Sequence, residues 1–311
     1  MKMTRLNVGN SSRPARRVCL CVGLLGVAFA WGCNRDSLRG AIPDVSKAKE
    51  MRLTLATSDA GTATQESDGQ QRTGWGTIKG QIRVVGPVPP NRVLNVNKDQ
   101  AVCQPGGAAV RGQTVEVDPS TGGLANVVLY ALDLEGENVH ENAQGGKSDS
   151  ILYDQKVCRY LSHVLPMQSS QTLEVKNSDT VSHNTQIQAK RGRSINENIP
   201  PGSSIKYTPG KEEKEPISVS CAVHPWMKAY LLPRDNGYFA ATAKDGSFVI
   251  ENLPAGIDLS VQAWQEKLGK NFDGIKVNGE PVTWKRGRMA LNLKPDETVT
   301  LDVEIPAAAF Q

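Results

Sequence analysis

The feature that most constrains the fold is a set of four potential metal ligands that come from two distant segments of the chain. Cys221, His224 and Met227 lie within the seven residues 221–227, and His183 precedes Cys221 by 38 residues. A fold that uses all four must bring these two segments together. One thiolate, two imidazoles and one thioether form the ligand set that suits a mononuclear copper ion, because sulfur favours Cu(I) and imidazole suits both oxidation states.

The sequence after residue 73 has the pattern of an all-β protein. Short runs of β-forming residues are separated by Gly, Pro, Asn and Asp, and no long segment has the 3.6-residue period of an amphipathic helix. This pattern predicts a sandwich architecture. The runs that we interpret as strands are 77–85, 124–132, 172–177, 217–221, 229–232, 247–251, 259–264 and 299–305.

The first 73 residues have features of export rather than of a folded domain. A basic region that ends at Arg17 precedes the mostly apolar run Val18–Ala30, which is too short to span a bilayer as a helix. We interpret residues 1–32 as a lipoprotein-type signal peptide, because the residues around Cys33 resemble a bacterial lipobox and Cys33 can take the lipid. An uncleaved membrane anchor is the alternative. Residues 33–73 are polar and predict a flexible tether.

The charge distribution argues against nucleic acid as a partner. The formal net charge is +4, but five basic residues and no acid lie in the first 32 residues, so the remaining chain carries −1. It has no basic patch of the kind that binds nucleic acid. We expect the chain to be exported to the periplasm or cell envelope, with a membrane contact through the lipid on Cys33.

The six cysteines divide by position. Two lie in the predicted signal peptide, Cys33 is the predicted lipid acceptor, and Cys221 is the predicted metal ligand. Cys103 and Cys158 remain. Since an exported protein meets an oxidising compartment, we expect these two to form a disulfide.

The surroundings of the four ligands resemble the cupredoxin family, and its amicyanin and plastocyanin members in particular. An Asn-x-Asp turn made by Asn177 and Asp179 precedes His183, and the Cys-x2-His-x2-Met spacing is similar to that of amicyanin. The resemblance covers roughly residues 165–234. It implies a cupredoxin-like Greek-key β-sandwich or barrel.

The resemblance also implies a site and a function. One type 1 copper is expected on His183, Cys221, His224 and Met227, and the backbone N–H of Asn184 is expected to donate to the thiolate. The implied protein transfers single electrons between redox partner proteins by cycling Cu(I) and Cu(II), and is not an enzyme. We expect His224 to lie near the surface at one end of the fold.

A second resemblance concerns the C-terminal part of the chain. The segments Asp245-Gly246-Ser-Phe and Leu253-Pro-Ala-Gly256 are similar to elements of the carboxypeptidase regulatory-like β-sandwich. We therefore predict a cupredoxin-like copper domain at 74–236 and a C-terminal β-sandwich segment at 237–311.

Several alternatives use the same residues. Zinc also binds Cys and His, although a thioether is a poor ligand for it. Cys221 and His224 could form a reactive ion pair, although no orienting carboxylate or oxyanion hole has a recognisable spacing. A metal-free structural or binding domain and a periplasmic copper carrier or buffer are the remaining alternatives, and the six scattered methionines favour electron transfer over the carrier.

A second possible ligand set lies upstream. Cys158, His163 and Met167 have azurin-like spacing, but no histidine-bearing strand precedes them, since His140 lies in a polar loop. We interpret this segment as a strand that contributes to the fold.

Overall fold

The computed structural model of the chain describes residues 71–146 and 149–311. These residues fall within a single unit of the chain, Ser67–Gln311. The predicted signal peptide 1–32, the predicted lipidation site Cys33 and all but the last three residues of the predicted tether 33–73 lie outside the described residues. No helix in the described residues is both long and apolar enough to cross a membrane.

The described residues form an all-β protein, which confirms the predicted fold class. Their α-helix, α1 (Gln100–Cys103), is four residues long. The strands in chain order are β1 (Gly74–Val85), β2 (Val128–Ala131), β3 (Ser150–Gln155), β4 (Val164–Gln168), β5 (Thr172–Asn177), β6 (His183–Ile187), β7 (Ile195–Ile199), β8 (Ser204–Tyr207), β9 (Ile217–Ser220), β10 (Lys228–Arg234), β11 (Phe239–Ala241), β12 (Ser247–Ala255), β13 (Asp258–Trp264), β14 (Lys276–Val277), β15 (Glu280–Pro281), β16 (Arg288–Asn292) and β17 (Thr298–Pro306).

Two sheets enclose the first hydrophobic core and form what we call the ligand sandwich. One sheet has the strand order β4-β10-β9-β6-β7 and the other has the order β3-β5-β8. The alternation of apolar and polar residues in β5 buries Leu173 and Val175 and leaves their neighbours partly exposed. These two side chains meet Ile187 of β6 and Leu231 of β10 in the core. The ligand sandwich therefore contains both segments that carry the predicted metal ligands.

The second core lies in what we call the C-terminal sandwich. Its sheets have the orders β12-β1-β17-β14-β15 and β11-β2-β13-β16. Ile82 of β1, Leu129 of β2, Val261 of β13 and Val303 of β17 pack together between them. The predicted strands at 247–251, 259–264 and 299–305 are all present here as β12, β13 and β17.

The predicted division at residue 236 implies that β1 and β2 pair with strands before that residue, but they pair with strands after it. Both strands fall within the predicted copper domain 74–236, but β1 lies between β12 and β17, and β2 pairs with β11 and β13. The alternation in β1 shows that one face is buried but does not show which sheet it joins. Glycine at position 80 permits the close approach to β17, because a Cβ there would lie 1.9 Å from the carbonyl oxygen of Leu301.

The two sandwiches share a small apolar interface. All four residues of β2 are buried, because β2 packs on both faces. Its Val128 and Tyr130 meet Val164 of β4, Leu232 of β10 and Trp264 of β13. This interface fixes β4 and β10 against the C-terminal sandwich, and β10 leads directly out of the predicted ligand loop.

Candidate metal centre

A tight turn places His183 at the start of β6. The side chain of Asn177 donates to the carbonyl oxygen of Val181 at 2.8 Å, and its Oδ1 accepts the N–H of Asp179 at 3.0 Å. Side chains of Asn commonly fix turns in this way. His183 then pairs with Ile199 of β7, and its side chain is fully buried.

The loop between β9 and β10 carries the other three predicted ligands. The N–H of Met227 donates to the carbonyl oxygen of His224 at 2.9 Å, and the N–H of Cys221 donates to that of Met227 at 3.3 Å. These bonds close the loop into a compact turn. Cys221 and Met227 are each 2 % exposed and His224 is 0 % exposed, so the three side chains turn inward while Ala222 and Pro225 of the same loop stay exposed.

The structure brings His183, Cys221 and His224 together. Their ligand atoms lie within 4.8 Å of one another. The Nδ1 atoms of the two histidines are 2.9 Å apart, and Cys221 Sγ is 4.0 Å from His224 Nδ1. Met227 is buried at the end of the same loop. Three of the four predicted ligands therefore converge on one buried region of the ligand sandwich, and Met227 is buried in the core that contains Cys221.

Both imidazoles are bonded to carboxylates on the opposite side of the ring. His183 Nε2 lies 2.8 Å from Asp179 Oδ2, and His224 Nε2 lies 2.8 Å from Asp99 Oδ2. An ionised carboxylate only accepts hydrogen bonds, so each Nε2 carries the hydrogen. In a neutral ring each Nδ1 is then an acceptor, and the two acceptors face each other beside a thiol sulfur. Such a donor set fits a bound metal cation.

Backbone groups prepare the sulfur of Cys221 to carry a negative charge. The N–H groups of Asn184 and His224 donate to Sγ at 3.2 and 3.4 Å. Burial would raise the pKa of the Cys221 thiol, but the hydrogen bond with His183, which that ring can donate when it carries a second proton, and the bonds from these two N–H groups outweigh burial and lower it. Burial likewise opposes the charged form of His183, but its bonds to Cys221 and Asp179 raise its pKa.

The side chain of Asn184 connects the ligand loop to the neighbouring strand. Its Nδ2 donates to Asn196 Oδ1 of β7 at 2.9 Å, and its Oδ1 accepts the N–H of Ala222 at 3.2 Å. Only the backbone N–H of this residue has a role in the prediction from sequence. The side chain additionally holds the loop at the position where that N–H reaches Cys221.

The expected surface position of His224 is wrong. Residues 92–113, which we call the cover segment, contact its ring through two residues: Asp99 bonds to Nε2, and the Cys103 sulfur lies within 4.8 Å of a ring nitrogen. Sequence reasoning missed Asp99 because it lies 125 residues from His224 and outside the region of resemblance. The one available signal was the neighbouring Cys103, since a disulfide to Cys158 brings this segment towards the turn before His183.

A disulfide between Cys103 and Cys158 is present. The Cα atoms of the two residues are 4.9 Å apart. Asp179 accepts the N–H groups of Val157 and Cys158 at 2.7 and 2.8 Å, so one carboxylate holds both the disulfide-bearing turn and His183. Each sulfur lies within 4.8 Å of a ring nitrogen of His224. The disulfide therefore packs directly beside the candidate centre.

The residues of the second possible ligand set, Cys158, His163 and Met167, each have a different structural role. Cys158 is in the disulfide, and Met167 is buried in the core of the ligand sandwich. His163 Nε2 lies 2.6 Å from Glu266 Oε2 of the C-terminal sandwich. The interpretation of this segment as a strand agrees with β4, Val164–Gln168.

Comparisons with known proteins give partial structural likenesses. No protein-family model and no curated protein sequence matches the chain. A purple cupredoxin from Nitrosopumilus maritimus is 20 % identical over 28 % of this chain and 100 % of its own, with a TM-score of 0.23. Amicyanin from Paracoccus versutus is 12 % identical over 34 % of this chain and 97 % of its own, with a TM-score of 0.25.

A third solved structure is a larger protein. A Cu-containing nitrite reductase from Thermus scotoductus is 16 % identical over 32 % of this chain, with a TM-score of 0.26. The chain spans about a quarter of that reductase, since the match covers 25 % of its length.

Proposed function

We propose that the chain is an electron-transfer protein that binds one type 1 copper ion through His183, Cys221, His224 and Met227. The observation that carries the proposal is the pair of Nδ1 atoms, 2.9 Å apart, that face each other beside the Cys221 sulfur. When bound there, copper supplies a one-electron couple between Cu(I) and Cu(II). The chain supplies a buried, hydrogen-bonded ligand set that is in place before the metal arrives.

The residues around the ligands support a redox role. His183 and His224 are each held at Nε2, so their rings keep one orientation whatever the charge of the metal. The sulfur of Cys221 accepts two backbone N–H bonds, which stabilise its anionic form. A ligand set that moves little between two metal charges lowers the cost of exchanging an electron.

The visible spectrum tests the proposal. Cu(II) added to the protein should give an intense charge-transfer band from the Cys221 thiolate, and Cys221→Ser should abolish the band while β structure is kept. His163→Gln is the matched control, because it removes a buried imidazole outside the centre and should leave the band unchanged. A colourless complex of the unaltered protein, or a band that survives Cys221→Ser, would show that this assignment is wrong.

We also propose that the protein is exported, anchored by a lipid on Cys33 and engaged by redox partner proteins rather than by substrates or nucleic acid. The basic region up to Arg17, the apolar run Val18–Ala30 and the small residues before Cys33 support export. Mass spectrometry of the mature protein should find a lipidated N-terminal cysteine at position 33. A mature protein that still begins at residue 1 would contradict the proposal. So would a Cys33→Ala variant that divides between the membrane and soluble fractions as the unaltered protein does.

A further inference from the structure

The cover segment is fixed over the ring of His224 by bonds within itself and by a covalent link. The N–H of Leu94 donates to the carbonyl oxygen of Val110 at 2.7 Å, and that of Gly112 donates to Arg92 at 3.0 Å. The disulfide of Cys103 joins the segment to the turn that Asp179 holds. The cover segment is therefore tied to a turn whose N–H groups share the Asp179 carboxylate with His183.

Asp99 is the residue of this segment that reaches the centre. Its backbone has φ 50° and ψ 38°, a left-handed conformation that Asp tolerates better than most residues. Its carbonyl oxygen accepts the N–H groups of Val102 and Cys103, the last two residues of α1, which holds that conformation. The side chain is 31 % exposed while that of His224 is 0 % exposed, so the carboxylate stands between the imidazole and solvent.

We infer that Asp99 is a positioning residue of the proposed copper centre, which orients His224 through Nε2 and closes the edge of its imidazole to solvent and to redox partners. A carboxylate that accepts the Nε2–H makes the imidazole a stronger donor and so favours the more highly charged metal. Closing the edge also increases the distance between the centre and any molecule that exchanges electrons with it. A cavity of about 490 Å3 lies between the ligand loop and the cover segment, and Trp226 and Met227 line it together with Leu94 of that segment.

This inference rests on the proposed function for its redox consequences, whereas the hydrogen bond itself belongs to the metal-free chain. Three variants separate orientation from closure. Asp99→Asn keeps an oxygen that accepts the Nε2–H but removes the charge, and Asp99→Ala removes both. Glu197→Gln is the matched control, since it removes one negative charge from an exposed side chain on β7.

The first measurement uses the metal-free full chain. Nitrogen-15 NMR of the imidazoles should show His224 with its hydrogen on Nε2, and that hydrogen should exchange slowly with water. Asp99→Ala should speed the exchange about tenfold or more, the equivalent of one charge-assisted hydrogen bond. Asp99→Asn and Glu197→Gln should change it little. A hydrogen on Nδ1 in the unaltered chain, or unchanged exchange in Asp99→Ala, would overturn the inference without bearing on copper.

The second measurement uses the copper-loaded full chain. Asp99→Asn should raise the reduction potential and leave the rate of electron self-exchange between oxidised and reduced copies within about twofold, whereas Asp99→Ala should raise the potential and speed self-exchange about tenfold or more. Glu197→Gln should alter neither. If the band is present but Asp99→Ala changes neither quantity, the inference is wrong. If the unaltered protein shows no band, the proposed function fails, and the metal-free measurement still decides the role of Asp99.

Discussion

Met227 is the residue whose role separates electron transfer from copper storage. It is 2 % exposed, and its N–H is bonded within the ligand loop, so a substitution of its side chain leaves the loop backbone intact. In an electron-transfer site the axial thioether is a weak ligand that tunes the balance of Cu(II) and Cu(I). Met227→Leu should then keep the visible band and raise the reduction potential, and Met227→Gln should lower it, because an amide oxygen favours Cu(II). Voltammetry of the three proteins measures both shifts.

The carrier alternative gives the opposite pattern for the same substitution. If the thioether is a principal Cu(I) ligand, Met227→Leu should weaken Cu(I) binding in a competition titration by more than about tenfold, or about 1.4 kcal/mol. If the protein transfers electrons, Met227→Leu should weaken Cu(I) binding by less than about tenfold. Met167→Leu is the matched control, because Met167 is equally buried in the same core but lies on β4. Loss of Cu(I) with an unchanged potential would favour the carrier.

The two carboxylates of the centre show how far a sequence reading reaches at this scale. Asp179 lies four residues before His183 in a turn with its own Asn and Asp signals, so it was visible as part of a local motif. Asp99 meets His224 only through folding, and nothing in the residues around it indicates a metal site. Local chemistry therefore selected the ligands, while the group that covers His224 depended on a long-range contact.

At the scale of elements, the disulfide is the link that holds the cover segment against the ligand sandwich. It joins α1 to the turn after β3, across a sequence separation of 55 residues. Closing a loop of this length restricts the unfolded chain, so replacing both Cys103 and Cys158 with Ser should lower the free energy of unfolding by about 2–4 kcal/mol. Urea denaturation of the double variant measures the change.

The same variant has an effect on the centre that a remote disulfide would not have. Because each of these sulfurs lies within 4.8 Å of a ring nitrogen of His224, the visible band should remain while electron self-exchange becomes faster. Mass spectrometry of the unaltered protein should find peptides 103 and 158 joined, and two free thiols there would contradict the prediction.

The positions of strands could be predicted from the sequence, whereas their pairing partners could not. The alternation of side chains placed β1 and β5 close to their observed bounds, because burial of one face is a local property of the sequence. The partners of β1 lie more than 160 residues away, in β12 and β17. Register and partner depend on which apolar faces meet in the folded chain, and several β-type runs offered equivalent faces.

At the scale of the whole molecule, the strands pass from one sandwich to the other and back. The described chain contributes β1 and β2 to the C-terminal sandwich, builds the ligand sandwich from β3 to β10, and returns with β11 to β17. Arg234 at the end of β10 donates to the carbonyl oxygen of Ala131 at the end of β2, at 3.2 Å, while its guanidinium lies over the ring of Tyr130. The ligand sandwich, which carries the candidate centre, therefore packs against the sheet β11-β2-β13-β16. The strands of that sheet come from before β3 and from after β10.

Removing residues 237–311 tests whether the division at residue 236 separates two independent domains. Without them β1 and β2 lose the strands with which they pair, and Ile78, Ile82 and Leu129, all 0 % exposed, lose their packing partners. Exposing each such side chain costs about 1.5–3 kcal/mol, so the three together approach the whole stability of a typical domain, about 5–15 kcal/mol. We expect the shortened chain to bind a hydrophobic dye and to lose its cooperative unfolding transition. The matched control, a chain without residues 1–66, should keep that transition and the copper band. A shortened chain that unfolds cooperatively and still forms the band would show that the ligand sandwich folds alone, with β1 and β2 as dispensable attachments.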